Sequence, residues 1–248
     1  MDSQKRMSSS APLRAAQSGA AKSRFGHRVA LATAMVTAVT FGLALTALPD
    51  KVPYPFTSKQ IADQWPGDYY WLFPAMLLML LFVALVAAVH EHTPPEHKVY
   101  SLLALAVAAI AAAVLLINYY IQATVMQPSL EKGQLDGWAI FSQYNPNGIF
   151  IALEELGYLL MSLVFLCLVP ALGNATRVEK SLRWLFLLSF AAVLLALAVV
   201  SSFMGKDRGD VFEIAVISIV WLTLIVAGLL LARLFRPGAA TQEPSADK

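Results

Sequence analysis

The 248-residue sequence contains one cysteine and few charged residues. Cys167 has no second cysteine in the chain for a disulfide bond, and it lacks partner thiolates for a metal site. Charged residues make up 14% of the chain, against about 25% in soluble domains, and the formal net charge is only +2. These shortages exclude a disulfide framework, argue against nucleic-acid binding and do not fit a soluble domain.

Sequence patterns that support enzymatic chemistry are also missing. The chain has no His-Glu-x-x-His zinc motif, no Gly-x-Ser-x-Gly nucleophile elbow and no phosphate-binding glycine loop. Glu154 and Glu155 are adjacent, as in the Glu-Glu-x-x-x-Arg helix of some intramembrane proteases. However, Leu159 occupies the arginine position and no later apolar block contains a histidine. We therefore predict no catalytic residue, no resident metal and no cofactor.

Long apolar runs dominate what the sequence does contain. Hydrophobic residues make up 58% of the chain, in six blocks about as long as the roughly 20 helical residues that cross a bilayer. Because backbone polar groups must be satisfied internally in lipid, each block is predicted to be a helix. The predicted fold class is all-α, a polytopic membrane helix bundle with six transmembrane helices. Their predicted spans are 29–48, 70–90, 100–126, 148–172, 182–204 and 211–234.

The distribution of lysine and arginine predicts the orientation of these helices. Six alternating spans place thirteen of the basic residues on the side that holds both termini and five on the other. The positive-inside rule therefore predicts cytoplasmic termini. We expect a disordered basic tail over residues 1–28, a transmembrane domain over 29–235 and a short disordered tail over 236–248.

Two adjacent acids interrupt the fourth apolar block. Glu154 and Glu155 lie about 9–10 Å along the predicted helix from Gly148, at 1.5 Å per residue. Tyr158 follows Glu154 by four residues and shares its face, whereas Glu155 points about 100° away. Because a carboxylate at this depth is costly, each acid should face the bundle interior, a wet cavity or a partner.

The third and sixth blocks carry polar groups at a similar depth. Asn118 and Gln122 are four residues apart on one helix face, and Glu213 lies near the outer end of the sixth block. We predict a substrate-binding cluster in the outer half of the bundle, with Glu213 nearby. Its members are Asn118, Gln122, Glu154, Glu155 and Tyr158. Two interpretations stay open: a site for a solute or an exchanged proton, or hydrogen bonds that fix helix packing.

The function that this cluster favours is small-solute or proton-linked transport. A non-catalytic membrane subunit or regulator that binds a protein partner is the alternative. An intramembrane enzyme is the least favoured class. The lipid bilayer is the predicted surrounding, with a homo-oligomer and a membrane partner protein as open alternatives.

The connection between the second and third blocks contains three histidines and two glutamates between His90 and His97. Such residues can hold a divalent metal, but tight turns between helices commonly contain them without one. We assign no metal to this loop.

Smaller signals concern the helix ends and contacts. Asn145 is predicted to cap the fourth helix, with Pro146 at its first position. Gly42, Gly157 and Gly228 are predicted to let helices approach closely. Aromatic residues of the outer connections are predicted to lie at the headgroup level: Trp65, Tyr69, Tyr70, Trp71, Trp138 and Tyr144.

One stretch of the chain resembles known sequences. It runs Tyr144-Asn145-Pro146-Asn147-Gly148-Ile149-Phe150 and continues through Glu154-Glu155-Leu156-Gly157-Tyr158 to Ser162. This stretch is similar to segments of uncharacterised bacterial multi-pass membrane proteins. The resemblance covers less than a tenth of the chain, and it implies a bacterial inner-membrane protein without assigning an activity.

Overall fold

A computed structural model describes residues 2–47, 52 and 55–236, with side chains described from residue 19 onward. Within this part of the chain the regular structure is helical, without strands. The α-helices are α1 (Asp2–Ala44), α2 (Ser58–Ala62), α3 (Leu72–His92), α4 (Lys98–Ile121), α5 (Gln127–Glu131), α6 (Ile149–Ala171), α7 (Arg177–Met204) and α8 (Val211–Leu234).

Six of the described helices are long and apolar enough to cross a membrane, which confirms the predicted number of spans. They are α1 from Gly19 onward, α3, α4, α6, α7 and α8. Several differ in length from the prediction, and the first runs over Gly19–Ala44 rather than 29–48. A π-helical segment, Gln122–Met126, joins α4 to α5 and extends the third span to Glu131. Helix α7 begins at Arg177, five residues early, because Thr176 and Glu179 form a capping box.

The six long helices form a closed ring in which chain neighbours are also neighbours in space. The order around the ring is α1, α3, α4, α6, α7 and α8, and α8 packs back against α1. Helix α6 also contacts α8 across the ring. The polar residues of α4, α6 and α8 can therefore meet inside the bundle.

One end of the bundle, here called the terminal end, holds the beginning of the membrane-spanning part of α1 and the end of α8. Ser23 donates a hydrogen bond of 2.6 Å to the carbonyl oxygen of Phe235. His27 Nδ1 lies 2.7 Å from the carbonyl oxygen of Ala232. These contacts satisfy carbonyl groups that the end of α8 leaves without helical partners.

The predicted domain boundary at residue 28 lies within helix α1 and stays a prediction. Helix α1 already starts at Asp2, and it contacts the bundle from Lys22 onward through an ion pair with Glu91. Disorder of residues 1–28 stays a prediction. Most of the predicted C-terminal tail, residues 237–248, lies outside the described residues.

The half of the bundle near the terminal end has an aromatic core. The rings of Phe165 and Phe186 stack with centroids 5.1 Å apart, and Phe82 meets Phe165 edge-on at 6.3 Å. All three side chains are buried. This packing joins α3, α6 and α7.

Two of the three predicted glycine contacts are present. A Cβ atom on Gly157 would lie 2.4 Å from Leu115 Cγ, so α6 approaches α4 closely. A Cβ atom on Gly228 would lie 2.7 Å from the Ala30 carbonyl oxygen on α1. Gly42 faces open space, and its predicted packing role is wrong.

Candidate functional site

The two adjacent acids of α6 have different surroundings. Glu155 forms an ion pair with Arg208, which lies in the connection between α7 and α8. The Arg208 guanidinium carbon also lies 5.5 Å from the centre of the Phe212 ring. Glu154 points instead into the bundle, where 3% of its surface is exposed. Of the two predicted acids, the structure brings only Glu154 to the polar cluster.

The partner of Glu154 is another acid, Glu213 of α8. The two carboxyl groups meet within hydrogen-bond reach, and Glu213 is 6% exposed. Glu154 Oε1 and Glu213 Oε2 have no hydrogen-bond donor among the described residues. Since ionised carboxylates only accept hydrogen bonds, these two groups can bond to each other only through a proton.

The predicted amides of the third span lie beside this acid pair. The Gln122 side chain reaches the Glu154 carboxyl group, and its Nε2 donates a 3.3 Å bond to Asn118 Oδ1. Asn118 Nδ2 in turn donates to the Phe150 carbonyl oxygen at 3.2 Å. This chain of bonds ties α4 to the first turn of α6 and holds Gln122 next to the acids.

Aromatic side chains surround the acids. The hydroxyl groups of Tyr119 and Tyr158 lie 2.8 Å apart, and both residues are fully buried. The Trp221 ring meets the rings of Tyr158 and Trp71 with centroids 5.9 and 6.3 Å apart. Trp71 also packs edge-on against Tyr119 at 5.2 Å. Four helices therefore converge on this cluster, namely α3, α4, α6 and α8. Helix α3 contributes Trp71, which lies at its start.

A cavity adjoins the acid pair. Its volume is about 90 Å³, and one side of it is open. Leu45 and Ile214 line it and are also exposed on the surface, so the open side lies between the far ends of α1 and α8. The other described lining residues are Phe41, Ala44, Ala47, Trp71, Gln143, Glu154, Glu213, Ile217, Ser218 and Trp221. Apart from the two acids, the wall is mostly apolar.

The connection before α6 covers the cluster at the far end, opposite the terminal end. Tyr144 donates a 2.7 Å hydrogen bond to Asp68 Oδ2, and Phe56 packs against Trp138 at 5.4 Å. Burial, reinforced by nearby Tyr69 and Asp68, raises the pKa of Tyr144 well above its ordinary value, so its phenol stays a donor.

Tyr69, Trp71 and Tyr144 are buried within the protein whereas Tyr70 is exposed, and the location of these rings at the headgroup level stays a prediction. One prediction about this connection is wrong. Asn145 does not cap α6, which begins after Gly148. Its side chain accepts a bond from the Asn147 N–H and donates one to the Ala139 carbonyl oxygen, so the preceding turn already uses both ends of the amide.

The histidines of the short connection after α3 face separate partners. His90 Nδ1 lies 2.8 Å from Ser101 Oγ, and His92 Nδ1 lies 2.8 Å from the Ala88 carbonyl oxygen. The His97 ring lies near Tyr100. Within the described residues, no group of three or more acidic, histidine or cysteine side chains is arranged to hold a metal ion.

Several members of the cluster were not among the predicted site residues. Tyr119 and Trp221 belong to apolar blocks, where an aromatic residue is ordinary, and Trp71 resembled an interfacial anchor. The spacing of Trp221, eight residues after Glu213, places it about 80° around α8 from that acid, so it gave no clear signal. Gln143 gave no signal, because it lies in a connection whose course the sequence did not predict.

Comparisons with protein-family models, curated proteins and solved structures return no match to this chain. The class defined by its fold is a multi-pass helical membrane protein, and its activity has to be inferred from the site.

Proposed function

We propose that this protein moves a small solute across the membrane in exchange for, or together with, a proton held between Glu154 and Glu213. The observation behind this proposal is the pair itself: two buried carboxyl groups from different helices face each other beside a cavity. Ionisable groups at such depth are costly and mark proton or substrate pathways in membrane proteins.

A proton shared between Glu154 and Glu213 is expected on electrostatic grounds. Two facing carboxylates in a dry site repel each other strongly, whereas a pair that shares one proton forms a hydrogen bond and carries a single charge. Binding of a solute beside the pair changes the balance between these states, which couples solute to proton. The phenols of Tyr119 on α4 and Tyr158 on α6 lie beside the pair. Glu155, which is paired with Arg208, and Asp210 before α8 act on it only through their charges.

The membrane location is part of the proposal. The excess of basic residues near the terminal end favours a cytoplasmic location for that end, which turns the acid pair toward the outer half of the bilayer. The sequence resemblance favours the inner membrane of a bacterium. Solute would then enter the cavity from the outer side.

Reconstituted full-length protein tests the transport proposal. Proteoliposomes containing a trapped pH indicator are challenged with a panel of cationic, anionic and neutral solutes under an imposed pH gradient. We expect at least one solute to drive proton movement in the wild type, with a loss of at least tenfold in Glu154→Gln and Glu213→Gln.

The matched control is Glu155→Gln, which changes the neighbouring acid on the same helix and should keep the flux. Equal flux in all variants would remove the acid pair from the mechanism. If no solute in the panel moves protons in the wild type, transport is rejected, and binding of a protein partner by a membrane subunit becomes the hypothesis to examine.

A further inference from the structure

The cavity beside the acid pair has a chemistry that selects among solutes. Its only described charged lining residues are Glu154 and Glu213. Each is more than nine-tenths buried and has a carboxyl oxygen without a donor. An occupant that supplies N–H donors and a positive charge satisfies both oxygens, while an anion meets only repulsion from them.

Two further unpaired groups belong to lining residues. Gln143 Nε2 and Trp221 Nε1 are buried donors without an acceptor in good hydrogen-bond geometry, and the hydroxyl groups of Tyr144 and Tyr158 lie near them. Both groups are neutral, so they accept an oxygen atom on an occupant but do not set the sign of its charge. The acids decide that sign.

The aromatic part of the wall favours the same occupant. Trp221 packs against Phe41 at 5.6 Å and against Trp71 at 6.3 Å, and all three residues line the cavity. Aromatic faces attract ammonium groups, most strongly where water is excluded. The acids and the aromatic rings therefore both attract a cation into the cavity.

The described part of the cavity's open side is apolar. Leu45 and Ile214 form described parts of its rim, between two helices that would contact lipid. Ile217 and Ala44 continue this surface inward. A charged head at the acids therefore leaves room for a hydrocarbon body along the rim.

We infer that the cavity binds an amphiphilic amine, with its ammonium group between Glu154 and Glu213 and its apolar body toward the gap between α1 and α8. This inference rests on the proposed transport function and names its substrate class. The ammonium group takes the place of the shared proton: its N–H groups bond to both carboxylates, the proton leaves to solvent, and the pair with its occupant keeps a single negative charge.

Calorimetric titration of the detergent-purified full chain at neutral pH tests the inference with two probes. One is 2-phenylethylammonium, and the other is 3-phenylpropionate, which has the same ring and a similar chain but the opposite charge. We expect binding of the ammonium probe and no measurable binding of the carboxylate. We also expect binding to weaken at least tenfold in Glu154→Gln and Glu213→Gln, and to change less than twofold in Glu155→Gln.

Equal binding of the two probes, or no binding of the ammonium probe, would overturn the inference. Since this comparison uses the wild type alone, it holds even if a variant does not fold. Unchanged ammonium binding in folded Glu154→Gln and Glu213→Gln would also overturn it, because the probe would then be partitioning into micelles.

The two proposals fail separately. Selective amine binding without proton-coupled flux in proteoliposomes would leave a cation site and reject transport. Flux that depends on Glu154 and is driven only by anionic or neutral solutes would support transport and reject the amine.

Discussion

The two halves of the bundle are held together by different chemistry. Near the terminal end, α3, α6 and α7 meet through the rings of Phe82, Phe165 and Phe186. Near the far end, α4, α6 and α8 meet through acids, amides and phenols, some of whose polar atoms lack partners. Helix α6 takes part in both. A membrane bundle packs well without buried acids, so the far half is where a functional explanation is needed.

The largest loss of stability is expected in the half of the bundle near the terminal end, where the three phenylalanine rings pack. Phe165→Ala removes a buried ring that contacts two others and leaves a cavity. We expect the free energy of unfolding to fall by about 3 kcal/mol, which is the lower end of the range for Phe→Ala in protein cores. The lower end applies because the hydrophobic effect contributes little to helix packing in lipid, so that mainly the lost van der Waals contacts count. Unfolding by sodium dodecyl sulfate in mixed micelles measures the change.

Leu195→Ala is the matched control, because Leu195 is 65% exposed on α7 and should lose little. Similar destabilisation by both substitutions would show that the phenylalanine core does not hold the terminal half together.

A smaller effect tests the contact between α4 and α6, which positions the amides beside Glu154. Gly157→Ala places a methyl group against Leu115 and should destabilise the bundle by about 2 kcal/mol through overpacking. Gly42→Ala, on a face with open space, should be neutral or slightly stabilising because alanine favours helix. The same unfolding assay applies, and equal results for the two glycines would contradict this close approach.

The smallest effect concerns the phenols of the far half. Tyr158→Phe removes the hydroxyl bond to Tyr119 and should cost about 1 kcal/mol. Tyr120→Phe serves as the control because Tyr120 is 62% exposed. A loss as large as that of Phe165→Ala would mean that the far half is also a rigid structural core, which would weaken the contrast between the halves.

The sequence predicted the six spans because each apolar block is long enough for lipid and ends at polar residues. It also predicted that Glu154 and Glu155 diverge, since adjacent helical residues point about 100° apart. The pairing of Glu154 with Glu213 was not predictable. It depends on contact between α6 and α8 across the ring, and periodicity along one helix carries no information about which helices touch.

The connections were harder to predict for a different reason. Short polar side chains such as Asn145 can bond to several nearby backbone groups, so the same residue fits a helix cap or a preceding turn. Thr176 and Glu179 formed a clear capping pair that the apolar pattern alone missed, because the first turn of α7 is polar. In both cases local hydrogen bonds, rather than hydropathy, set the helix boundary.

The most direct measurement is infrared spectroscopy of the carboxyl groups at neutral pH in wild type and in the glutamine variants. A shared proton predicts a protonated-carboxyl band in the wild type that shifts in Glu154→Gln or Glu213→Gln, disappears in the double variant and is unchanged in Glu155→Gln. A wild-type spectrum without such a band, or one that the double variant leaves unchanged, would contradict a proton held between Glu154 and Glu213.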